Sequence, residues 1–243
     1  MKKVLSLLRR ADQDFQMIKA GDRVMVGVSG GKDSLLLLTA LAEYRRFSDY
    51  PFELCGGMID LGFGDLDPEP ILRHCEAIGV ELFIKHTNIG HVIFETRKES
   101  NPCSLCAKMR RGSLNELAKL HECNKIALGH HRDDLIETLL MSMLYESRLR
   151  VFSPVTWMDR TDMVQIRPMV YLEESHIINA ARRLNLPVAH NACPACGHTK
   201  RQEMKELVKH LKGLCPEADI HMFRAIQNTQ NYDLWDNIRR RPD

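Results

Sequence analysis

The sequence predicts an α/β fold with a doubly wound parallel sheet and short helical extensions at both ends. Short apolar runs alternate with longer helical stretches, which is the pattern of repeated strand–helix–strand units. A glycine-rich turn follows the first apolar run and leads directly into a leucine-rich helix. With 243 residues, 44% of them hydrophobic and 27% charged, the chain can bury a substantial core.

The expected strands are the apolar runs bounded by Gly, Pro or Asp. They cover residues 24–28, 52–59, 81–86, 125–129 and 163–166. The expected helices cover residues 1–20, 35–47, 68–79, 114–121, 135–145 and 198–211. We divide the chain into an N-terminal helix (1–20), an α/β domain (21–190) and a C-terminal cysteine loop with helices that pack on the core (191–243).

The segment after the first strand has the chemistry of a phosphate-binding loop. It reads Ser-Gly-Gly-Lys-Asp-Ser and joins a strand to a helix, so backbone N–H groups and a helix N-terminus point at one place. The spacing differs from a Walker A loop, and a carboxylate follows the lysine, which favours a bridging Mg²⁺. The candidate nucleotide ligands are Ser29, Gly30, Gly31, Lys32, Asp33 and Ser34.

A second motif, Gly-His-His-Arg-Asp-Asp over residues 129–134, lies where the fourth expected strand gives way to a helix. Its adjacent carboxylates either cap that helix or hold Mg²⁺ and orient a nucleotide. Asp60 ends the second expected strand. Since ligands of parallel sheets bind at the carboxyl ends of the strands, we expect both sites to face the same crevice as the phosphate loop.

Two Cys-x-x-Cys pairs lie far apart in the sequence. The first is Cys103 with Cys106, and the second is Cys193 with Cys196. Four thiolates suit a structural zinc ion, one pair suits a redox dithiol, and cysteines also hold iron–sulfur clusters. The spacing alone leaves all three chemistries open and favours zinc. Cys55, Cys75 and Cys123 lie in apolar or helical surroundings, where we expect buried packing.

The net charge of +2 does not mark a general nucleic-acid binder. Basic clusters are nevertheless present, and Arg110 and Arg111 follow the first cysteine pair by about one helical turn, where they suit ATP phosphate or an RNA backbone. No apolar run reaches membrane-spanning length, and the apolar stretch at the N-terminus is too short for a secretory signal. We therefore expect a cytoplasmic protein with no membrane partner.

The phosphate-loop string resembles the signature of the PP-loop ATP pyrophosphatases, which cleave ATP between the α- and β-phosphates and adenylate a carbonyl oxygen. The order of motifs over roughly residues 20–210 is similar to the tRNA 2-thiocytidine synthetase family. This resemblance rests on the phosphate loop, the first cysteine pair with its arginines, the Gly-His-x-x-Asp-Asp segment, the Arg167-Pro168 dipeptide and the late cysteine pair.

The resemblance implies ATP-dependent thiolation of a tRNA base, with cytidine C2 as the expected target. It implies a 4Fe–4S cluster on Cys103, Cys106 and Cys193, with one iron left open for sulfur. Mg²⁺ and ATP complete the cofactors. Expected partners are tRNA, a sulfur donor such as a cysteine desulfurase or inorganic sulfide, and a second copy of the chain in a homodimer.

The same resemblance assigns roles to single residues. The expected catalytic residues are Lys32, Asp33, Asp134 and Cys196, while the expected nucleotide ligands outside the loop are Asp60, Gly129 and Arg111. Three alternatives stay open: sulfur insertion into another base or a small molecule, an iron–sulfur desulfidase, and a zinc-stapled nucleotide-binding module. The intact phosphate loop argues against the desulfidase, since removal of sulfur has no evident need of ATP.

Overall fold

The computed structural model describes residues 1–64, 67–97, 102–189, 200–228 and 230. The chain forms two compact units. The first contains Met1–Asp134 and Phe152–Thr199, and the second contains Leu135–Val151 and Lys200–Asp243. Within the described ranges, no helix is both long and apolar enough to cross a membrane.

The first unit is built on a six-stranded sheet with the order β3-β2-β1-β4-β6-β5. The strands are β1 (Arg23–Val28), β2 (Glu53–Asp60), β3 (Glu81–His86), β4 (Lys125–Ala127), β5 (Val155–Met158) and β6 (Met163–Ile166). All neighbours are parallel except β5 and β6, which form an antiparallel pair at the edge. The predicted α/β class with a parallel sheet is confirmed, and β5 is an addition that the sequence analysis did not foresee.

Helices cover both faces of this sheet. The helices along the chain are α1 (Lys2–Phe15), α2 (Lys32–Arg45), α3 (Glu69–Ala77), α4 (Ile89–His91), α5 (Pro102–Leu120), α6 (Arg132–Glu146), α7 (Glu174–Arg183), α8 (Lys200–Leu214) and α9 (Ala218–Gln227), with a π-helical turn at Val92–Thr96. The α2 helix is buried along most of its length and contacts β1, α1 and α7. The helix α5 packs against the opposite face of the sheet.

The core beneath α5 joins that helix to the central strands. Its buried members include Met25, Cys55 and Ile126 on the strands and Leu114 and Leu117 on α5. The helix α5 begins at Pro102, twelve residues before the expected start at residue 114, and its buried residues all lie in its second half. The expected buried packing of three cysteines outside the Cys-x-x-Cys pairs is confirmed, since Cys55, Cys75 and Cys123 are all buried.

The second unit consists of most of α6 together with α8 and α9. In it Ser142 Oγ lies 2.9 and 2.8 Å from the carbonyl oxygens of Arg148 and Arg150 and accepts the backbone N–H of Arg150 at 3.1 Å, and so fixes the turn after α6. Tyr145 donates to Glu203 at 3.0 Å and thereby links α6 to α8. The division of the chain at residues 20 and 190 stays a prediction.

A buried carboxylate joins α1 to α2. Asp12 is 1% exposed, and it accepts hydrogen bonds from the hydroxyl of Tyr44 at 2.7 Å, from the hydroxyl of Tyr50, and from the backbone N–H of Ile18 at 2.9 Å. Burial and the Asp12 carboxylate raise the pKa of Tyr44, so this hydroxyl stays a donor. These hydrogen bonds hold α1 against α2, which packs on the sheet.

We expect Asp12→Ala to destabilise the fold by about 3 kcal/mol, because it leaves the buried Tyr44 hydroxyl, the half-buried Tyr50 hydroxyl and an N–H without their charged acceptor. For a chain of this size that corresponds to a melting temperature lower by roughly 10 °C in circular dichroism. Asp159→Ala, at an exposed turn position, is the matched control. Equal melting temperatures for the two variants would contradict the importance of the buried carboxylate.

Candidate functional site at the carboxyl ends of the strands

The loop between β1 and α2 presents backbone donors at a helix N-terminus. Gly30 has φ +80°, a left-handed conformation that favours glycine, and a Cβ there would lie 3.1 Å from the Cβ of Ala189. Ser34 Oγ donates to the carbonyl of Gly31 at 2.9 Å and accepts from the N–H of Ser29 at 3.1 Å. The N-cap residue of α2 is Gly31, which has no side chain to cap the helix, so the first-turn N–H groups can bind an anion.

Lys32 is held in place by two carboxylates. Its Nζ lies 3.1 Å from Asp33 Oδ2 and 3.1 Å from Glu174 Oε1 at the start of α7. Burial lowers the pKa of Lys32, but the two carboxylates outweigh it and the net pKa is raised. Lys32 therefore carries a full charge beside the loop. Within the described residues, the buried Oδ1 of Asp33 accepts no hydrogen bond.

Gly129 lies against the backbone of the phosphate loop. A Cβ at this position would be 3.0 Å from the carbonyl carbon of Asp33 and 3.1 Å from the N–H nitrogen of Ser34. Both neighbours are backbone atoms and have little freedom to move. The glycine thus allows the segment after β4 to approach the first turn of α2.

We expect Gly129→Ala to raise the KM for ATP about tenfold, because a methyl group at this contact would displace the phosphate loop. The measurement is ATP-dependent pyrophosphate release at varied ATP concentration. Gly213→Ala is the control, since a Cβ at that α8 position meets no atom within 4 Å. An unchanged KM in Gly129→Ala would show that the loop tolerates the methyl group.

His131 is buried among three carboxylates. Its Nε2 lies 3.4 Å from Asp134 Oδ2 and 3.8 Å from Asp33 Oδ1, and its Nδ1 lies 3.6 Å from Asp133 Oδ2. Burial lowers the pKa of His131, but the surrounding carboxylates together outweigh it, so the net pKa is above the ordinary value. This histidine links the phosphate loop to the second motif.

The two adjacent aspartates also have structural partners. Asp134 Oδ2 accepts the backbone N–H of His131 at 2.9 Å, and Asp133 Oδ2 accepts the backbone N–H of Glu174 at 2.8 Å. Burial raises the pKa of Asp133, but His131 and the N–H of Glu174 outweigh it and the net pKa is lowered. The capping alternative is therefore present in the structure, and the catalytic role of Asp134 stays a prediction.

Asp60 lies at the end of β2 and contacts a residue of the neighbouring strand. Its Oδ1 accepts the N–H of Gly62 at 2.9 Å, and its Oδ2 lies 2.8 Å from His86 Nδ1. The Gly62 N–H and His86 together lower the pKa of Asp60. Asp60 and His86 are partners in the parallel register of β2 and β3, so the carboxylate is at the expected edge of the sheet.

A pocket of about 260 Å³ opens between α5 and the carboxyl ends of β1, β2 and β4. Ser29 of the phosphate loop lines it on the sheet side, and Arg110 and Arg111 line it on the helix side. Leu114 and Leu128 supply apolar walls. A water molecule occupies about 30 Å³, so the pocket has several times the volume of one water molecule. It therefore has room for one planar base.

The first cysteine pair lies on the first turn of α5, directly before the residues that line the pocket. Cys103 is exposed and Cys106 is partly buried, and their spacing places both thiols on the same side of the helix. Cys193 and Cys196 lie outside the described residues. Among the residues that the structure does describe, no group of three Cys, His, Asp or Glu side chains is arranged as a metal site.

Sequence reasoning did not identify Glu174 or Gln165 as members of this region, and it gave His131 no role of its own there. Glu174 is distant in sequence from Lys32 and carries no motif of its own. His131 was part of the second motif, but its surroundings depend on the folded positions of Asp33 and Asp134. Only the sheet register reveals Gln165, which lines the pocket from β6.

The fold and the site together define a PP-loop nucleotide-binding protein. A family model described as a PP-loop domain matches residues 4–211. The tRNA-cytidine(32) 2-sulfurtransferase of Geobacter metallireducens is 39% identical over 238 residues, which cover 97% of this chain and 93% of that protein. The enzyme of the same name from Pelobacter propionicus is 38% identical over 230 residues, covering 93% and 86%. This chain belongs to the PP-loop family and, within it, to the tRNA-cytidine(32) 2-sulfurtransferases.

Solved structures agree on the fold. The U34-tRNA thiolase of Methanococcus maripaludis, solved with its 4Fe–4S cluster, has a TM-score of 0.75 at 23% identity over 93% of this chain and 78% of that one. The NH3-dependent NAD synthetase of Campylobacter jejuni has a TM-score of 0.52 at 19% identity, covering 95% and 93%. Both likenesses concern the α/β architecture.

Proposed function

We propose that the protein is an ATP-dependent tRNA sulfurtransferase that replaces the C2 oxygen of a cytidine with sulfur. The observation that carries this proposal is that the phosphate loop, through Ser29, lines the same pocket as the cysteine-bearing helix α5. The charged Lys32 of that loop is held beside it by Glu174. The names of the relatives support tRNA cytidine as the substrate, and their name places that cytidine at position 32.

The reaction has two steps. The C2 oxygen of the base attacks the α-phosphorus of ATP, the bond from that phosphorus to the bridging oxygen of pyrophosphate breaks, and an adenylated base forms. Sulfide then attacks C2, the carbon–oxygen bond breaks, and AMP leaves with the former base oxygen. Lys32 and the N–H groups at the start of α2 stabilise the charge that develops on the phosphates.

The residues around the loop fit a divalent cation. Asp33 Oδ1 is a buried carboxylate oxygen without a hydrogen bond in the described part of the chain, beside the site expected for phosphate. A hard oxygen ligand of this kind suits Mg²⁺, which is usually held by one or two carboxylates together with phosphate oxygens. In this proposal Asp134 assists at the reacting phosphate, and Gly129 and Asp60 contact the nucleoside.

The first turn of α5 fits two ligands of an iron–sulfur cluster. Cys103 and Cys106 are one turn apart, accessible, and adjacent to Arg110 and Arg111. We assign Cys193 as the third ligand and Cys196 as a catalytic thiol from the sequence alone. The 4Fe–4S cluster of the Methanococcus thiolase, which has the same fold, supports the presence of a cluster in this protein. When bound, the cluster supplies the sulfur chemistry, while the arginines attract the polyanionic substrates.

Further parts of the proposal rest on the sequence. The protein acts in the cytoplasm as a homodimer and receives sulfur from a cysteine desulfurase or inorganic sulfide. Arg111 contacts ATP phosphate, and the other basic clusters bind the tRNA backbone. Binding to tRNA is then steeply weakened by salt, because phosphate contacts release counterions.

The test is an anaerobic reaction of the iron-reconstituted protein with unmodified tRNA, ATP, Mg²⁺ and sulfide. Mass spectrometry of the digested tRNA should show 2-thiocytidine, and AMP and pyrophosphate should form in equal amounts. Thiolation without ATP, or formation of ADP and phosphate, would contradict the proposed chemistry. Thiolation of a small molecule with intact tRNA left unchanged would contradict the substrate.

A further inference from the structure

Gln165 lines the pocket between α5 and the strands, although it is only 4% exposed. It lies in β6 next to Ile126 of β4 in the parallel register, so the sheet fixes its backbone. Its side chain shares the pocket with Ser29 of the phosphate loop and with Arg111. A buried amide in this position has access to any base that enters the pocket.

Arg167 fixes the orientation of this amide. Its Nη2 lies 3.4 Å from Gln165 Oε1, while its Nη1 donates to the carbonyl of Ser153 at 2.6 Å and to Thr156 Oγ1 at 3.0 Å. The guanidinium lies 5.1 Å from the centre of the Phe152 ring. Because Arg167 is buried and held by these contacts, it cannot easily turn away from Gln165.

Arg167 is a buried cation for which the described residues provide no carboxylate partner. Burial, with a smaller contribution from Arg111, lowers the pKa of Arg167 to about 10, so it is still charged at neutral pH. Since a guanidinium has only donors, the amide atom that faces it must be the oxygen. The NH₂ group of Gln165, which makes no hydrogen bond within the described residues, is left to the pocket.

The two pyrimidine bases differ in what they present to such a donor. Cytosine has an acceptor at N3, whereas uracil has an N–H donor there. A freely rotating glutamine amide can turn to suit either base, but an amide whose oxygen is already engaged offers only donors. Placing uracil in the pocket would then oppose two N–H groups, and each would lose a hydrogen bond on leaving water.

We propose that Gln165, oriented by Arg167, donates to N3 of the substrate base and so selects cytosine over uracil. The proposal rests on the proposed function, since it requires a tRNA pyrimidine in the pocket. Gln165 is the specificity residue that contacts the base, and Arg167 is a positioning residue that acts through it.

The experiment uses the reconstituted full-length enzyme and two tRNA transcripts, with cytidine or uridine at position 32. We measure kcat/KM for thiolation of each transcript and, separately, the Kd for ATP. Gln165→Glu replaces the donors by acceptors and keeps the shape, and its carboxylate can pair with Arg167. It should lower kcat/KM on the cytidine transcript about 10- to 100-fold and lower the cytidine-to-uridine ratio by a similar factor, with the Kd for ATP unchanged.

Gln13→Glu is the matched control, because it makes the same chemical change at an exposed position of α1. Gln165→Leu removes the donors without adding acceptors, and it should lower the ratio less than Gln165→Glu does. A higher Kd for ATP that accounts for the whole loss in kcat/KM would overturn the proposal and place the adenine in this pocket. An unchanged ratio would also overturn it, while the proposed function would stand if the wild-type enzyme thiolates the cytidine transcript.

The positioning role has its own test. Arg167→Lys keeps the charge but loses the forked geometry, so the amide can turn and the cytidine-to-uridine ratio should fall even where the cytidine rate is retained. In the Gln165→Leu background the same substitution should leave the ratio unchanged, because there is no amide to orient. A ratio that falls equally in both backgrounds would show that Arg167 acts by another route. If the wild-type enzyme thiolates neither transcript, the proposed function and this inference are both wrong.

Discussion

Lys32→Ala should reduce pyrophosphate release by about 100- to 1000-fold, the loss expected when a preorganised charge is removed from a phosphoryl-transfer site. Lys32 is held between Asp33 and Glu174 with its pKa raised, so its charge is present beside the loop before substrate arrives. The measurement is tRNA-dependent formation of pyrophosphate from ATP labelled in the γ-phosphate.

Lys119→Ala, at an exposed position of α5, is the control for this substitution. It should retain full activity. Glu174→Gln provides an intermediate case, since it leaves the lysine charged but removes one of its two anchors, and a loss of about tenfold or less is expected. Wild-type rates of pyrophosphate release in Lys32→Ala would disprove the role given to the loop.

Cys103→Ala and Cys106→Ala should each reduce tRNA thiolation by more than about 100-fold, because loss of a direct ligand exceeds the 10- to 100-fold cost of losing an outer-shell contact. Both variants should lose most of the iron and labile sulfide of the anaerobically purified protein. ATP should still bind, since neither thiol belongs to the phosphate loop. The readouts are metal analysis, visible absorption and thiolation rate.

Cys215→Ala is the matched control, an exposed cysteine in the second unit. Two further variants distinguish iron–sulfur from zinc: with a three-cysteine cluster Cys193→Ala should bleach the protein and Cys196→Ala should keep its colour. Colourless anaerobic protein that carries one zinc ion, lost in all four variants of the Cys-x-x-Cys pairs, would favour a zinc-stapled module instead.

The sequence predicted the architecture well where local patterns are strong. The parallel strands follow valine-rich or isoleucine-containing runs, and the turn at Gly30 requires a conformation that glycine adopts freely. The strand β5 was missed because it is short, lies at the edge of the sheet and exposes Trp157, so it has no clear alternation. Edge strands of this kind are recognised by pairing, which the sequence of one strand does not contain.

The candidate site could be predicted in outline but not in its contacts. Motif spacing and the carboxyl-end rule placed the phosphate loop and Gly129 at one edge of the sheet, and the structure brings them within contact of each other. The partnership of Lys32 with Glu174 joins residues on two helices far apart in the chain. Gln165 and Arg167 are two residues apart, a spacing that places side chains on the same face of a strand, but the sequence does not show that this face lines the pocket.

The central claim is that ATP activates the base oxygen by adenylation, and the fate of that oxygen tests it most directly. A tRNA carrying a heavy oxygen isotope at C2 of the target cytidine is thiolated in a single turnover, and the AMP is analysed by mass spectrometry. The account predicts that the label appears in the phosphate of AMP in the same amount as thiolated tRNA. Unlabelled AMP together with labelled water would show that the oxygen leaves without adenylation, and the account would be wrong.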